Sequence, residues 1–90
     1  MQSSEGAQRP PETVLVRYWA GARAAAGVDA ERVTGIHTVG GLLTRLAAAH
    51  PPLEPVLPVC SVLVGGRASA GEDPVPPEAV IEILPPFAGG

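Results

Sequence analysis

Few residues of this 90-residue chain could do chemistry, and their spacing excludes most of it. Cys60 is the single thiol, set in Val59-Cys60-Ser61-Val62-Leu63-Val64. It has no second cysteine for a disulfide or a multi-cysteine metal site, which fits a reducing, cytoplasmic setting. His37 and His50 each stand alone in apolar or turn-like sequence, so Cys60 lacks a base and is expected to be a small buried hydrophobe. His50, ahead of Pro51-Pro52, is expected at the surface near a helix C-terminus. Glu72-Asp73 reads as a solvated turn, and no Ser, His and Asp fall at a triad spacing. The internal glycine pairs, Gly40-Gly41 and Gly65-Gly66, lack the spacing of a phosphate loop, and the chain has no lysine to complete one.

The C-terminal residues are different. Gly89-Gly90 removes two Cβ atoms beside the α-carboxylate, so these residues could run extended through a channel too narrow for any other type, with Ala88 just before them. Pro85-Pro86 stops the preceding strand and fixes φ at the start of the tail, which lowers the entropy lost on threading into a partner. Phe87 would be an anchor for an apolar pocket of that partner.

The elements that must hold this tail are legible in outline. Eleven glycines and 11 prolines lie near the composition of low-complexity chains, but 46% of residues are hydrophobic and the net charge is only -3, so a folded domain is expected. At this length the core is thin and has no room for an enclosed catalytic cleft. Scattered arginines at 9, 17, 23, 32, 45 and 67 and three aromatic residues give no nucleic-acid footprint. No apolar run suggests a signal peptide or a membrane span. Residues 1–12 read as a disordered leader, 13–84 as the domain and 85–90 as a functional tail. Val14 to Trp19 alternates as a strand, Ala20 to Ala26 forms a short helix closed by Gly27, and Ala30 to Thr34 is a second strand. Thr38 caps a helix with apolar Val39, Leu42, Leu43, Leu46 and Ala47, although Gly40-Gly41 makes its first turn suspect. Pro51 to Pro58 reads as irregular, Ser61 to Val64 as a strand ending at Gly65-Gly66, Gly71 to Pro77 as turns, and Ala79 to Leu84 as the last strand. The order suits an α+β roll, a mixed sheet over one main helix.

Four segments carry a resemblance over about Val14 to Gly90: Val16-Arg17-Tyr18-Trp19-Ala20-Gly21-Ala22-Arg23 with Ala26-Gly27, Thr38-Val39-Gly40-Gly41-Leu42-Leu43, Val64-Gly65-Gly66-Arg67, and Leu84-Pro85-Pro86-Phe87-Ala88-Gly89-Gly90. The chain resembles the MoaD/ThiS family of ubiquitin-like sulfur carriers, and within it the small subunits of molybdopterin synthase. The resemblance implies a β-grasp fold and a protein that is not an enzyme on its own. It implies that the Gly90 carboxylate is adenylated by a ubiquitin-activating-like adenylyltransferase of the MoeB type, which consumes ATP. A sulfur donor protein then supplies the sulfur of a C-terminal thiocarboxylate. It further implies delivery of that sulfur to a pterin precursor, for molybdenum cofactor biosynthesis, inside a synthase large subunit of the MoaE type, in a heterotetramer. The carrier itself would bind no cofactor, metal, nucleic acid or membrane. A carrier serving thiamine or cysteine biosynthesis, or a noncatalytic β-grasp interaction module, is the alternative. The family often has Asn at Gly65, and Asp-Gly-Asp where Pro76-Pro77-Glu78 stands. Partner-binding lysines of relatives would be replaced by arginines such as Arg17, Arg23 or Arg67. The missing lysine itself has two explanations: a GC-rich coding bias, or protection of an activated C-terminal carbonyl from a neighbouring carrier's ε-amine.

Overall fold

The computed structural model describes residues 13–86, so the leader and Phe87, Ala88, Gly89 and Gly90 lie outside the described residues. Alternation decides the first element. In β1 (Val14–Tyr18) the side chains of Val14, Val16 and Tyr18 are buried while Arg17 is exposed. Trp19 ends the strand and precedes α1 (Ala20–Ala26), which Gly27 closes at φ 81° with its N–H on the Arg23 carbonyl. β2 (Ala30–Val33) returns antiparallel to β1.

The main helix, α2 (Val39–Ala49), buries Val39, Leu42 and Leu46, with Leu43 and Ala47 half-buried beside them. Its suspect first turn is intact, and the reason is external to the helix. The N–H groups of Val39 and Gly40 donate to the carbonyls of Asp73 and Gly71 at 3.0 and 2.8 Å, and Gly41 N–H donates to the Thr38 hydroxyl at 3.0 Å. The orphan donors of the helix start are thus satisfied by the 71–73 turn and the cap. A Cβ on Gly40 would stand 3.3 Å from the Gly71 oxygen, so glycine's poor propensity is exchanged for this close approach.

The stretch expected to be irregular after Pro51 is two 3-10 turns, Pro51–Leu53 and Leu57–Val59, which insert Leu53 and Leu57 into the core. β3 (Ser61–Val64) then turns through Gly65 and Gly66, both at positive φ, into β4 (Arg67–Ser69), a strand that the sequence pattern did not predict. Arg-Ala-Ser has no apolar alternation, but two consecutive positive-φ glycines are the requirement of a two-residue hairpin. Within the 71–77 turns Val75 is buried and its N–H binds the His37 carbonyl. β5 (Val80–Leu84) occupies the middle of a five-stranded sheet ordered β2-β1-β5-β3-β4, parallel to β1 and antiparallel to β3. The expected α+β roll is therefore present. One sheet face, with Val16, Tyr18, Val62, Ile81 and Ile83, packs on α2 to form the core. Over the other face, with Leu15, Leu63, Val80, Glu82 and Leu84, no helix lies among the described residues.

Candidate functional site

The last paired residue of β5, Leu84, is the root of the tail. It pairs with Ser61 of β3 on one side. On the other, Trp19 N–H donates to the Ile83 carbonyl at 3.2 Å, extending the parallel ladder one step past β1. The tail therefore leaves a strand held from both edges, through half-buried Pro85 and exposed Pro86. The proline pair ends the ladder because it has no N–H to donate.

Trp19, 40% exposed, flanks this root, and the Arg17 guanidinium lies 5.0 Å from its ring centroid, within cation–π range. Ala20 follows at φ 48°, a left-handed conformation that a residue with a Cβ adopts at a cost, and it turns the chain sharply into α1. Arg17 and Arg67, both expected to meet a partner, are not brought together. Arg17 projects from the uncovered face beside Glu82, whereas Arg67 pairs with Val64 on the opposite face at the edge hairpin. There it lines an open cleft of about 480 Å³ with Ser69, Asp73 and Pro76, at the end of the sheet away from Leu84.

Cys60 immediately precedes Ser61 and so lies beside the tail root. It is half-buried rather than fully buried, its thiol donates to the Val56 carbonyl at 3.3 Å, and burial pushes its pKa up. His50 departs from the surface role expected of it. Its side chain is 20% exposed, and Nε2 stands 2.7 Å from the Glu31 carboxylate, whose same oxygen accepts the Tyr18 hydroxyl at 2.5 Å. The two rings meet edge to face, 6.2 Å apart. Burial first, then the Glu31 bond and charge, push Tyr18 far above the usual tyrosine range. The only hint of this cluster in the sequence is parity, since Glu31 shares the inward face of β2 with Val33. The three residues tie β1, β2 and the end of α2 together. Among the described residues no group of three or more His, Cys, Asp or Glu could hold a metal, and no helix is long and apolar enough to cross a membrane.

A family model described as the ThiS family matches residues 16–90. No curated protein sequence matches the chain. Solved structures do. SAMP1, the small archaeal modifier protein 1 of Haloferax volcanii, is 27% identical with a TM-score of 0.77, over 87% of this chain and 99% of its own. A putative molybdopterin converting factor subunit 1 from Pyrococcus furiosus, 22% identical, has a TM-score of 0.77 over 83% of this chain and 98% of its own. The complex of subunits 1 and 2 of molybdopterin-converting factor from Helicobacter pylori contributes a match at 20% identity and a TM-score of 0.65, over 87% of this chain and 99% of that one. The latter two likenesses concern the fold alone. Together with the strand order they establish the architecture as β-grasp, ubiquitin-like.

Proposed function

This chain belongs to the ThiS family, and from that premise we propose that it is a sulfur carrier whose Gly90 carboxylate is adenylated, converted to a thiocarboxylate and used to deliver sulfur to a pterin precursor. One observation carries the reading: a central strand ends at Leu84 and leads without a further element into Pro85-Pro86, followed in sequence by Phe87-Ala88-Gly89-Gly90. A carboxylate has no leaving group, so the chemistry must begin with ATP, consumed by an activating adenylyltransferase. The terminal sulfur of a donor protein's persulfide attacks the acyl carbon and AMP leaves, and a thiol reductant then cleaves the resulting acyl disulfide, releasing the thiocarboxylate and leaving a disulfide on the donor. The resulting thiocarboxylate is ionised and nucleophilic at neutral pH. On this reading the chain is a cosubstrate; the base, the oxyanion donors and any nucleotide site belong to its partners.

The uncovered sheet face is the surface that fits those partners. Leu15, Leu63 and Leu84 are half-buried and Val80 is 41% exposed, in one patch that continues to Trp19 and the tail root. Arg17 and Glu82, in register at its centre, supply charges that fix orientation. A synthase large subunit is the proposed acceptor complex, with Pro85, Pro86, Ala88 and Gly89 proposed to form the threaded tail and Phe87 to anchor it in a partner pocket. A second reading is favoured by the 27% identity to a protein named as a modifier. The same activated carbonyl would then pass to an amine of another protein instead of to sulfur.

Incubation with candidate activating enzymes, ATP, a persulfide donor and a thiol reductant tests the first reading. The intact mass is expected to show one oxygen replaced by sulfur, and one residue added after Gly90 is expected to abolish the change. Thiocarboxylation that survives that extension sinks the reading. Acylation of lysines in added proteins, with no gain of sulfur, supports the second.

A further inference from the structure

Strand order leaves β2 at one margin of the sheet, and among the described residues it is paired on one side only, to β1. The phase of that ladder decides which backbone groups are used. Tyr18 N–H donates to the Asp29 carbonyl, so Glu31 and Val33 exchange bonds with Val16 and Val14, while Ala30 and Arg32 turn their N–H and C=O groups outward. The next outward carbonyl, that of Thr34, accepts the Arg45 guanidinium at 3.0 Å, which reaches over from α2. Between this edge and α2 lies an open groove of about 250 Å³, lined by Val33, Leu46 and Ala49 among others. Its one lining carboxylate, Glu31, is already engaged by the Tyr18 hydroxyl and His50. Positive charge is left over. Arg45 at the groove and Arg32, opposite Leu15 on the open face, are exposed and have no ion pair among the described residues, in a chain whose net charge is -3.

We propose that β2 and this groove form a second partner site, which takes an extended segment of another protein, alternating acidic and apolar residues, as an added strand of the sheet. Pairing with Ala30 and Arg32 satisfies backbone groups that otherwise rely on water. Opposed residues of paired strands share a face, so the pleat sorts the side chains of the segment. A carboxylate opposite Arg32 stands on the open face, and an apolar side chain opposite Val33 enters the groove toward Leu46 and Ala49. Charge selects this occupant over a second copy. Two β2 strands can oppose only their outward residues, which brings both Arg32 guanidinium groups onto one face as near neighbours, and like charges resist that pairing. The site needs no chemistry at Gly90.

The test titrates the nitrogen-labelled full chain with a capped peptide of alternating glutamate and valine and follows the amide signals by NMR. Shifts are expected at Ala30, Arg32, Arg45 and Ala49, and Arg32→Glu, at an exposed position, is expected to raise Kd about tenfold or more. Two further peptides, N-methylated at every glutamate or at every valine, keep the charge and the side chains, but each loses the hydrogen bonds of one strand edge. One of them is expected to bind about tenfold more weakly than the other. Equal binding by these two, an unaltered Kd for Arg32→Glu, no shift at all, or shifts confined to Leu15, Leu63 and Val80 overturns the proposal. Concentration-dependent shifts of the β2 edge without peptide, the mark of a second copy, overturn it too. So do nuclear Overhauser contacts to that edge from residues 1–12, the mark of a leader that already fills it.

Discussion

At the residue scale, Tyr18 and Cys60 govern how the molecule answers to alkaline pH. Tyr18 and Cys60 both hold their protons to higher pH in the folded chain than tyrosine and cysteine ordinarily do. Their contribution to stability is complete below the unfolded values, about 10 and about 8.5, and is lost as pH rises toward the folded ones. With one tyrosine, one cysteine and no lysine, these are the side chains that titrate in that alkaline range. The urea midpoint is therefore expected to fall between pH values of about 8 and 11, in two steps, with Tyr18→Phe removing the upper one. A midpoint that is flat across that range, or unaltered by Tyr18→Phe in its slope, contradicts this account. Glu31→Ala strips the acceptor from a buried hydroxyl and is expected to cost about 1–3 kcal/mol, readable as a shift in the same midpoint. Beyond the parity of Glu31 with Val33, no sequence pattern announced the cluster, because three residues distant in the chain meet only when β2 has closed on β1 and α2 has ended at His50.

At the scale of elements, most of the order was legible and its exceptions have local causes. The alternation of Val14, Val16 and Tyr18 and the helical spacing of Val39, Leu42 and Leu46 both survive intact, since each marks the face that meets the core. What propensity could not foresee is the first turn of α2, where a glycine pair weakens the helix in isolation and a distant turn caps it. Two glycine replacements separate these effects. A methyl added to Gly21 in α1 would find nothing within 4 Å, so Gly21→Ala is expected to raise stability by about 0.5–1 kcal/mol. Gly40→Ala gains the same propensity but presses on the Gly71 carbonyl, and it is expected to yield no gain or a net loss. Thermal denaturation of the pair decides it, and equal stabilisation by both would refute the role given to the 71–73 turn. β4 was missed because a three-residue edge strand of Arg-Ala-Ser carries no pattern of its own, only a hairpin turn before it.

For the whole molecule, the two sheet faces have separate tasks. The covered face makes the fold, and Leu42→Ala, at a fully buried site, is expected to cost about 2–5 kcal/mol, a large share of what a domain this small has. The open face is proposed for docking, so Leu63→Arg, opposite Glu82 in the sheet register, is expected to change the melting temperature little while lowering kcat/KM for activation by about tenfold or more. Loss of stability and activity in parallel would return Leu63 to a purely structural role. Sequence alone indicated a tail and a sheet; it could not say that Arg17 lies on the open face and Arg67 on the opposite one, because that depends on strand order and register.

The position of β5 also bears on force. A partner that grips the last residues and draws on them pulls along the axis of a strand hydrogen-bonded on both edges, to β1 and to β3. Load applied in that direction is shared by both ladders at once, in shear, instead of opening them one bond at a time. On the proposed reading, the domain would then be hauled by its tail into or out of a tight channel while the sheet stays whole.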